Sequence, residues 1–538
     1  MKKIIVFSII MLYFTLLCIF LTEKTDPLSL QKLAWQIHFA NKDEITWQRL
    51  PYPCYYEIDT FIKNPENSAV KEQYKLIKRS FTFNNDFAPP TALIPVYYRI
   101  KAFGLFGSIG QASSFKGDPV FTGSPLKPHP ITNYDRKNPA SYKPFLIWHT
   151  VPNAVYYELE ILSGPPDDPE GISLSQKNHL YSTQEIFTHG YQVDLTAFKK
   201  IPQLFWRVRA LNIYGRPIGI FSHAQPIYVD KNKPYPVSPL IDNYDAIAPE
   251  TMPLYPVYHW LPMVNVSRYE IELLSNIPLN NNPAIIDKSH IKTLTVDGLF
   301  TCYDTEALIK SGTYYWRVRG LSSTGQPIGL WSDSQKIIVP SPKDINVDVA
   351  TFGDSITHGG GNLSYSPANK EYNYQLYLDF PTVNLAKSGD TVKMALDRFD
   401  KDVLPFAPKN LLILCGTNSI RNETIAAPTI IDNLKKLRQK CLDNNIRPVF
   451  ITLPPLNRQN IKNSFHTNTD PKWKDKLVQV NGYILTLPYH IDIEPYFYDK
   501  NGNLADIYSS DGLHPNLDGK KLMADIINQH KDLFIWSK

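Results

Sequence analysis

Asn346-Val347-Asp348-Val349-Ala350-Thr351-Phe352-Gly353-Asp354-Ser355-Ile356-Thr357 is the stretch whose reading decides the fold. Its apolar residues alternate and then run together at Val349, Ala350 and Phe352, which predicts a buried strand ending at Gly353. Ser355 then falls on a strand-to-helix turn at the carboxyl edge of a sheet, where open α/β folds bind ligands. A serine is a weak nucleophile until a base, oriented by a third group, takes its proton. Asp511-Gly512-Leu513-His514 supplies an acid and a base far down the chain.

Two further segments follow the same logic. Leu411 to Cys415 is an apolar run ending in Gly416-Thr417-Asn418, so Asn418 lies just past a strand end on the rim that carries Ser355. Asp511 and His514 precede an amphipathic stretch, Leu517 to Ile527, that reads as the final helix, which leaves His514 in a loop free to approach Ser355. Each short motif alone is an ordinary turn, because Gly, Asp, Asn and Ser all favour turn geometry. Their order, each at a strand end or in a loop, carries the reading. His358 and His490 are rival bases that belong to no such block.

The last third of the chain resembles the GDSL, or SGNH, hydrolase family, an α/β/α flavodoxin-like fold known by four separated blocks. Gly353-Asp354-Ser355 is similar to the nucleophile block, Asn384-Leu385-Ala386-Lys387-Ser388-Gly389 to the second, Gly416-Thr417-Asn418 to the third and Asp511-Gly512-Leu513-His514-Pro515 to the last. The resemblance implies Ser355, Asp511 and His514 as catalytic residues. It also implies an oxyanion hole formed by the backbone N–H groups of Ser355 and Gly389 and the Asn418 side chain. Ser419 departs from the pattern, since the family's third block commonly continues with aspartate. The implied reaction is ester hydrolysis with no metal and no organic cofactor. The family's lipases, acyl-thioesterases and carbohydrate O-acetylesterases are not separated by fold.

Upstream lies an internal repeat. Trp148, Tyr157-Glu158-Leu159-Glu160 and Trp206-Arg207-Val208-Arg209 recur as Trp260, Tyr269-Glu270-Ile271-Glu272 and Trp316-Arg317-Val318-Arg319. A fainter copy holds Trp47, Tyr56-Glu57-Ile58 and Tyr98-Arg99-Ile100-Lys101. Period-two alternation in these runs predicts β-strands, and copies of about 90 to 100 residues resemble fibronectin type III sandwiches. The tryptophans are expected to fill sandwich cores and the alternating arginines to face water. The expected domains are modules at 43–117, 128–230 and 234–340, then a hydrolase at 345–538. Spacers are the simplest role for the modules, with cell-wall or polysaccharide contact as a second.

At the N-terminus Lys2 and Lys3 precede Ile4 to Leu21, 18 mostly apolar residues. A helix of that length spans about 27 Å, close to a bilayer core, and no small-x-small cleavage site follows. Residues 1–24 therefore read as an uncleaved signal anchor, with the rest of the chain outside the membrane at the periplasmic or cell-surface side, or secreted if the segment is cut. The net charge of +5 over 538 residues is too small to imply nucleic-acid binding. Five scattered cysteines signal neither a disulfide framework nor a zinc site, and Cys415 and Cys441 are expected in the core. The function expected is removal of O-acetyl or other short acyl groups from a cell-surface or extracellular carbohydrate. The alternatives are a lipase or lysophospholipase, a sugar O-acyltransferase and a non-catalytic adhesion protein.

Overall fold

The computed structural model describes residues 126–537 except 169, 299 and 362–364, and before them the stretches 37–41, 44–47, 49–50, 53–63, 74–88, 96–104, 107–109, 112 and 116–117. The predicted anchor at residues 1–24 lies outside the described residues, and none of the described helices is long and apolar enough to cross a membrane. The described residues before 127, with 218–220, form one compact unit, and the described residues of 127–217 with 221–537 form the other.

The C-terminal region is built on a parallel sheet of five strands, β1 (Val349–Gly353), β2 (Thr382–Asn384), β3 (Asn410–Leu414), β4 (Arg447–Ile451) and β5 (His490–Ile491), in the order β2-β1-β3-β4-β5. Every residue of β1 and β3 is buried, as expected for strands covered on both faces. Helices α1 (Ser355–His358), α2 (Val392–Asp402), α3 (Thr417–Ile420), α4 (Ala427–Asp443), α5 (Arg458–Phe465), α6 (Trp473–Leu485) and α7 (Leu517–Asn528) alternate with the strands. α2 packs on α4 and α4 on α6, while α7 packs on the 3₁₀ turn Tyr374–Tyr377. This strand order reverses direction between β1 and β3, and the crevice at their carboxyl ends is where such sheets hold ligands. Gly353 must be glycine here, because a Cβ would stand 1.9 Å from the Leu414 carbonyl oxygen on the neighbouring strand.

The region before it is antiparallel β. Residues 240–339 pair a three-stranded sheet (Leu240–Ile241, Val257–Leu261, Thr301–Tyr303) with a larger one (Arg268–Leu274, His290–Asp297, Gly312–Leu321, Pro327–Ile328, Gln335–Val339). The two share an apolar core of Tyr258, Trp260, Ile271, Trp316 and Val318. Residues 145–227 repeat the plan with a two-stranded and a four-stranded sheet, and residues 37–117 repeat it with three and five strands. In all three copies the tyrosine of the repeat accepts a backbone N–H from six residues upstream. The pairs are Leu50 to Tyr56, Val151 to Tyr157 and Met263 to Tyr269, at 3.1, 3.0 and 2.9 Å. Trp148, Trp206, Trp260 and Trp316 are all in the cores, as expected.

The arginines correct the sequence reading. They alternate with apolar residues, yet Arg207 and Arg317 are 1% and 0% exposed. The register sets Glu160 opposite Arg207 and Glu272 opposite Arg317, and each pair closes at 2.6 Å. Glu158 and Glu270 face Arg209 and Arg319 in the same way. Loop carbonyls at Ser173 and Asn280, and the rings of Phe221 and Trp331, cover the guanidinium groups. A period-two pattern separates the two faces of a strand, but it carries no information on whether a loop folds over the polar face.

Candidate active site

The turn that carries Ser355 is made by local capping. Asp354 is the N-cap of α1, and its Oδ1 accepts the Ile356 N–H at 3.1 Å, which starts the helix at Ser355. Asp354 is fully buried, and burial, opposed by its backbone hydrogen bonds, pushes its carboxyl up to about 6. Asn516 caps α7 in the same manner, accepting from Gly519 N at 3.0 Å, so the chain just before α7 is fixed where His514 leaves it.

The structure brings Ser355, His514 and Asp511 together. His514 Nε2 lies 2.9 Å from Ser355 Oγ, and His514 Nδ1 lies 2.9 Å from Asp511 Oδ2. A carboxylate only accepts, so Nδ1 carries the ring proton and the Nε2 lone pair faces the serine hydroxyl. Asp511 is 1% exposed, and its Oδ1 accepts from Leu513 N and His514 N, each at 2.8 Å, and from Ser509 Oγ at 3.2 Å. Burial alone would raise its carboxyl. The charge and hydrogen bond of His514, with those backbone donors, outweigh burial and hold the carboxyl below its ordinary value. Phe465 packs edge-on against the imidazole at 5.8 Å.

Asn418 and the loop that carries Gly389 meet across the crevice. Asn418 Nδ2 donates to Asp390 O at 3.1 Å, which ties the turn after β3 to the loop after β2. Gly389 adopts φ +87°, a left-handed conformation that suits glycine, and its N–H has no protein acceptor among the described residues. Ser355 N–H is likewise without one among the described residues, and as the first residue of a helix it has no intrahelical partner. Ser419, where the family pattern has aspartate, accepts the Val392 N–H at 3.1 Å and so secures the start of α2.

The rival histidines are held elsewhere. His358 is buried between Tyr255 O and Ser388, and His490 Nδ1 bonds to Leu487 O at 2.7 Å. Sequence reasoning passed over Lys520. It is 1% exposed beneath the site, and its Nζ donates to Ile356 O at 2.9 Å, holding the first turn of α1 from below. Nothing in its helical spacing marks it as more than a polar position of α7.

Burial, only partly offset by Asp511 and Asp354, brings the Lys520 ammonium down to about 7. The unfolded chain keeps an ordinary lysine near ~10.4, so between pH 7 and 10 the unfolded state binds more protons than the folded one. Stability is therefore expected to rise with pH through that window, by up to about 1.4 kcal/mol per unit. Lys520→Met should flatten the rise. Urea unfolding at pH 7 and pH 9.5 checks this, and an equal slope in both proteins would remove the assignment.

Residues 351–522 match the GDSL-like lipase/acylhydrolase family. Among solved structures, a protein of Bacteroides fragilis described as an acylhydrolase is 22% identical, the alignment covering 36% of this chain and 91% of that one at TM-score 0.30. The lipase/acylhydrolase of Enterococcus faecalis is 21% identical, over 35% of this chain and 98% of its own, at TM-score 0.29. An acetyl xylan esterase is 19% identical, over 34% and 98%, at TM-score 0.27. No curated protein matches. Four sequence blocks in order, a parallel sheet that gathers them on one rim and the match over residues 351–522 lead to one conclusion: this part of the chain is a GDSL-like lipase/acylhydrolase domain.

Proposed function

We propose that residues 345–538 are a serine esterase in which Ser355 is the nucleophile, His514 the base and Asp511 the group that orients it. The observation that carries this is the unbroken Ser355–His514–Asp511 chain, 2.9 Å at each link. His514 Nε2 takes the hydroxyl proton as Ser355 Oγ attacks the ester carbonyl carbon, and Asp511 stabilises the imidazolium. The oxyanion is received by the N–H groups of Ser355 and Gly389 and by Asn418. An amide has two N–H groups: one fixes Asn418 to Asp390 O, and the other is left for the oxyanion. His514 then protonates the departing alcohol, and water, activated by the same ring, releases the acid. Asn418→Ala is expected to lower kcat by about 10²- to 10³-fold with KM little changed. Full activity in that variant would take Asn418 out of the oxyanion hole.

The substrate reading is a short acyl ester, O-acetyl first, on a cell-surface or extracellular carbohydrate. Gly389 is exposed, and Ser355 and His514 are partly exposed. An ester carried on a polymer therefore reaches the reacting atoms from the surface. The test is hydrolysis of p-nitrophenyl acetate against p-nitrophenyl octanoate. Acetate preference supports the reading, whereas octanoate preference replaces it with a lipase, and transfer to an added sugar in place of water replaces it with an acyltransferase.

The upstream sheets are read as fibronectin type III-like modules at 43–117, 128–230 and 234–340. Support comes from the strand order in the first and last, where strands one, two and five form one sheet and four, three, six and seven the other, with strand eight also pairing strand six. Residues 1–24 are read as the anchor that places the enzyme outside the membrane, and the mass of the mature N-terminus tests whether it is retained.

A further inference from the structure

The segment Pro253-Leu254-Tyr255-Pro256 belongs by sequence to the last β-region, where it leads into the strand Val257–Leu261. By packing it belongs to the hydrolase. Leu254 and Tyr255 are buried in the same apolar cluster as Phe352, Val392, Phe399 and Leu414. The Tyr255 hydroxyl donates to Asp402 Oδ2 at 2.6 Å, and its ring lies 4.6 Å below Lys387 Nζ. Lys387 in turn donates to Thr305 O of the same β-region at 3.1 Å. Tyr255 also neighbours Arg398, which donates to Gly353 O at 3.2 Å, to Leu385 O at 2.7 Å and to Asp390 at 2.6 Å. The β-region thus reaches under both the nucleophile strand and the loop after β2.

One contact gives this packing a chemical consequence. The Tyr255 carbonyl lies 2.9 Å from His358 Nε2, and a carbonyl can only accept, so the proton sits on Nε2. Nδ1 of the neutral ring is then an acceptor. It faces Ser388 Oγ at 2.8 Å and receives Ser388 N–H at 3.3 Å. Ser388 is the residue before Gly389. The ring is fully buried, and burial, reinforced by the nearby charges of Arg398, Lys520 and Lys387, brings its titration down to about 4. It stays neutral, and the Nδ1 acceptor persists, across the range in which an esterase works. Tyr303, also of the β-region, packs edge-on against the same ring at 6.3 Å.

We propose that Tyr255 and His358 are positioning residues for the oxyanion hole: the carbonyl supplied by the β-region orients the His358 ring, and the ring holds Ser388 so that the Gly389 N–H points into the crevice. This rests on the reading of Gly389 as an oxyanion donor. It assigns the last β-region a part in catalysis beyond that of a spacer. A donor displaced by about 1 Å costs up to 10²-fold in rate, and the loss falls on the transition state because the ground-state ester barely uses the donor.

The experiment uses the full-length chain and compares wild type with His358→Gln, His358→Asn and Ser388→Ala. Gln keeps a donor toward Tyr255 O and loses the acceptor toward Ser388; Asn keeps the acceptor and loses the donor. Ser388→Ala removes one link on a partly exposed loop, where folding is not at risk. Active sites are counted by the nitrophenol burst, so that kcat refers to folded enzyme only. Each His358 variant is expected to lose about 10- to 10²-fold in kcat at nearly constant KM, and Ser388→Ala a few-fold. Each should bind methylboronic acid, whose tetrahedral serine adduct occupies the oxyanion hole, more weakly in proportion. A purely structural role would lower the melting temperature and leave kcat per active site and boronate affinity unchanged, which would overturn the proposal. Should both His358 variants fail to fold, an unchanged kcat and boronate affinity in Ser388→Ala would overturn it alone. If wild type shows no ester turnover that Ser355→Ala removes, the esterase reading itself fails, a result distinct from either.

Discussion

Ser355→Ala and His514→Ala are each expected to lower kcat for p-nitrophenyl acetate by about 10⁵- to 10⁶-fold, and the double variant is expected to be no worse than either single one. The reason is the geometry of the chain of hydrogen bonds. Oγ becomes nucleophilic only as Nε2 takes its proton across 2.9 Å, so removing either partner removes the same step. Asp511→Ala should cost less, because the ring keeps its place through Phe465 packing even when its tautomer is no longer enforced. The melting temperature should hardly move in Ser355→Ala, since the hydroxyl is partly exposed and makes one side-chain bond. Initial rates and a melting curve decide the matter. More than one hundredth of wild-type activity in folded Ser355→Ala would exclude it as the nucleophile.

Glu272→Ala is expected to destabilise the compact unit of residues 127–217 and 221–538 by about 3–5 kcal/mol, more than any change at the active-site serine. Glu272 is 4% exposed and accepts from Arg317 Nε at 2.6 Å and from His290 Nδ1 at 2.8 Å. Without it, Arg317 loses its hydrogen-bonded counter-ion and keeps the Asn280 carbonyl, the Trp331 ring and the charge of nearby Asp287. A buried guanidinium without a hydrogen-bonded carboxylate is the costly species, not the loss of the pair as such. Glu272→Met with Arg317→Met should therefore recover most of the loss, because a packed apolar pair replaces two charges that were expensive to desolvate. Scanning calorimetry of the single and double variants tests both halves. A single variant as stable as wild type would show that water reaches the guanidinium.

What could be read without coordinates was local. The strand Val349–Gly353, the turn at Ser355 and the helix beginning at Leu517 follow from apolar periodicity and turn-favouring residues, all within a few residues of chain. The repeat was legible for a similar reason, since a core tryptophan and a strand tyrosine recur wherever the same sandwich is built. Arg207 and Arg317 were misread because their surroundings come from elsewhere. The cross-strand glutamates lie more than forty residues away, and the covering carbonyls come from loops whose path no periodicity describes.

The same division runs through the site. Sequence alone determined which side chains are able to do acyl transfer and in what order they lie, because nucleophile, acid and base are residue types and the turns that expose them are short-range. The choice of His514 over His358 and His490 was legible in its sequence block; tertiary structure is what brings it to Ser355 across a separation of 159 positions, through the parallel strand order. It also decided that Lys520 lies buried under α1, and that a tyrosine from the preceding β-region touches the ring behind the loop after β2. The physical reason is that burial and hydrogen-bond partnership are properties of packed surfaces between segments, whereas periodicity and capping are properties of one segment against water.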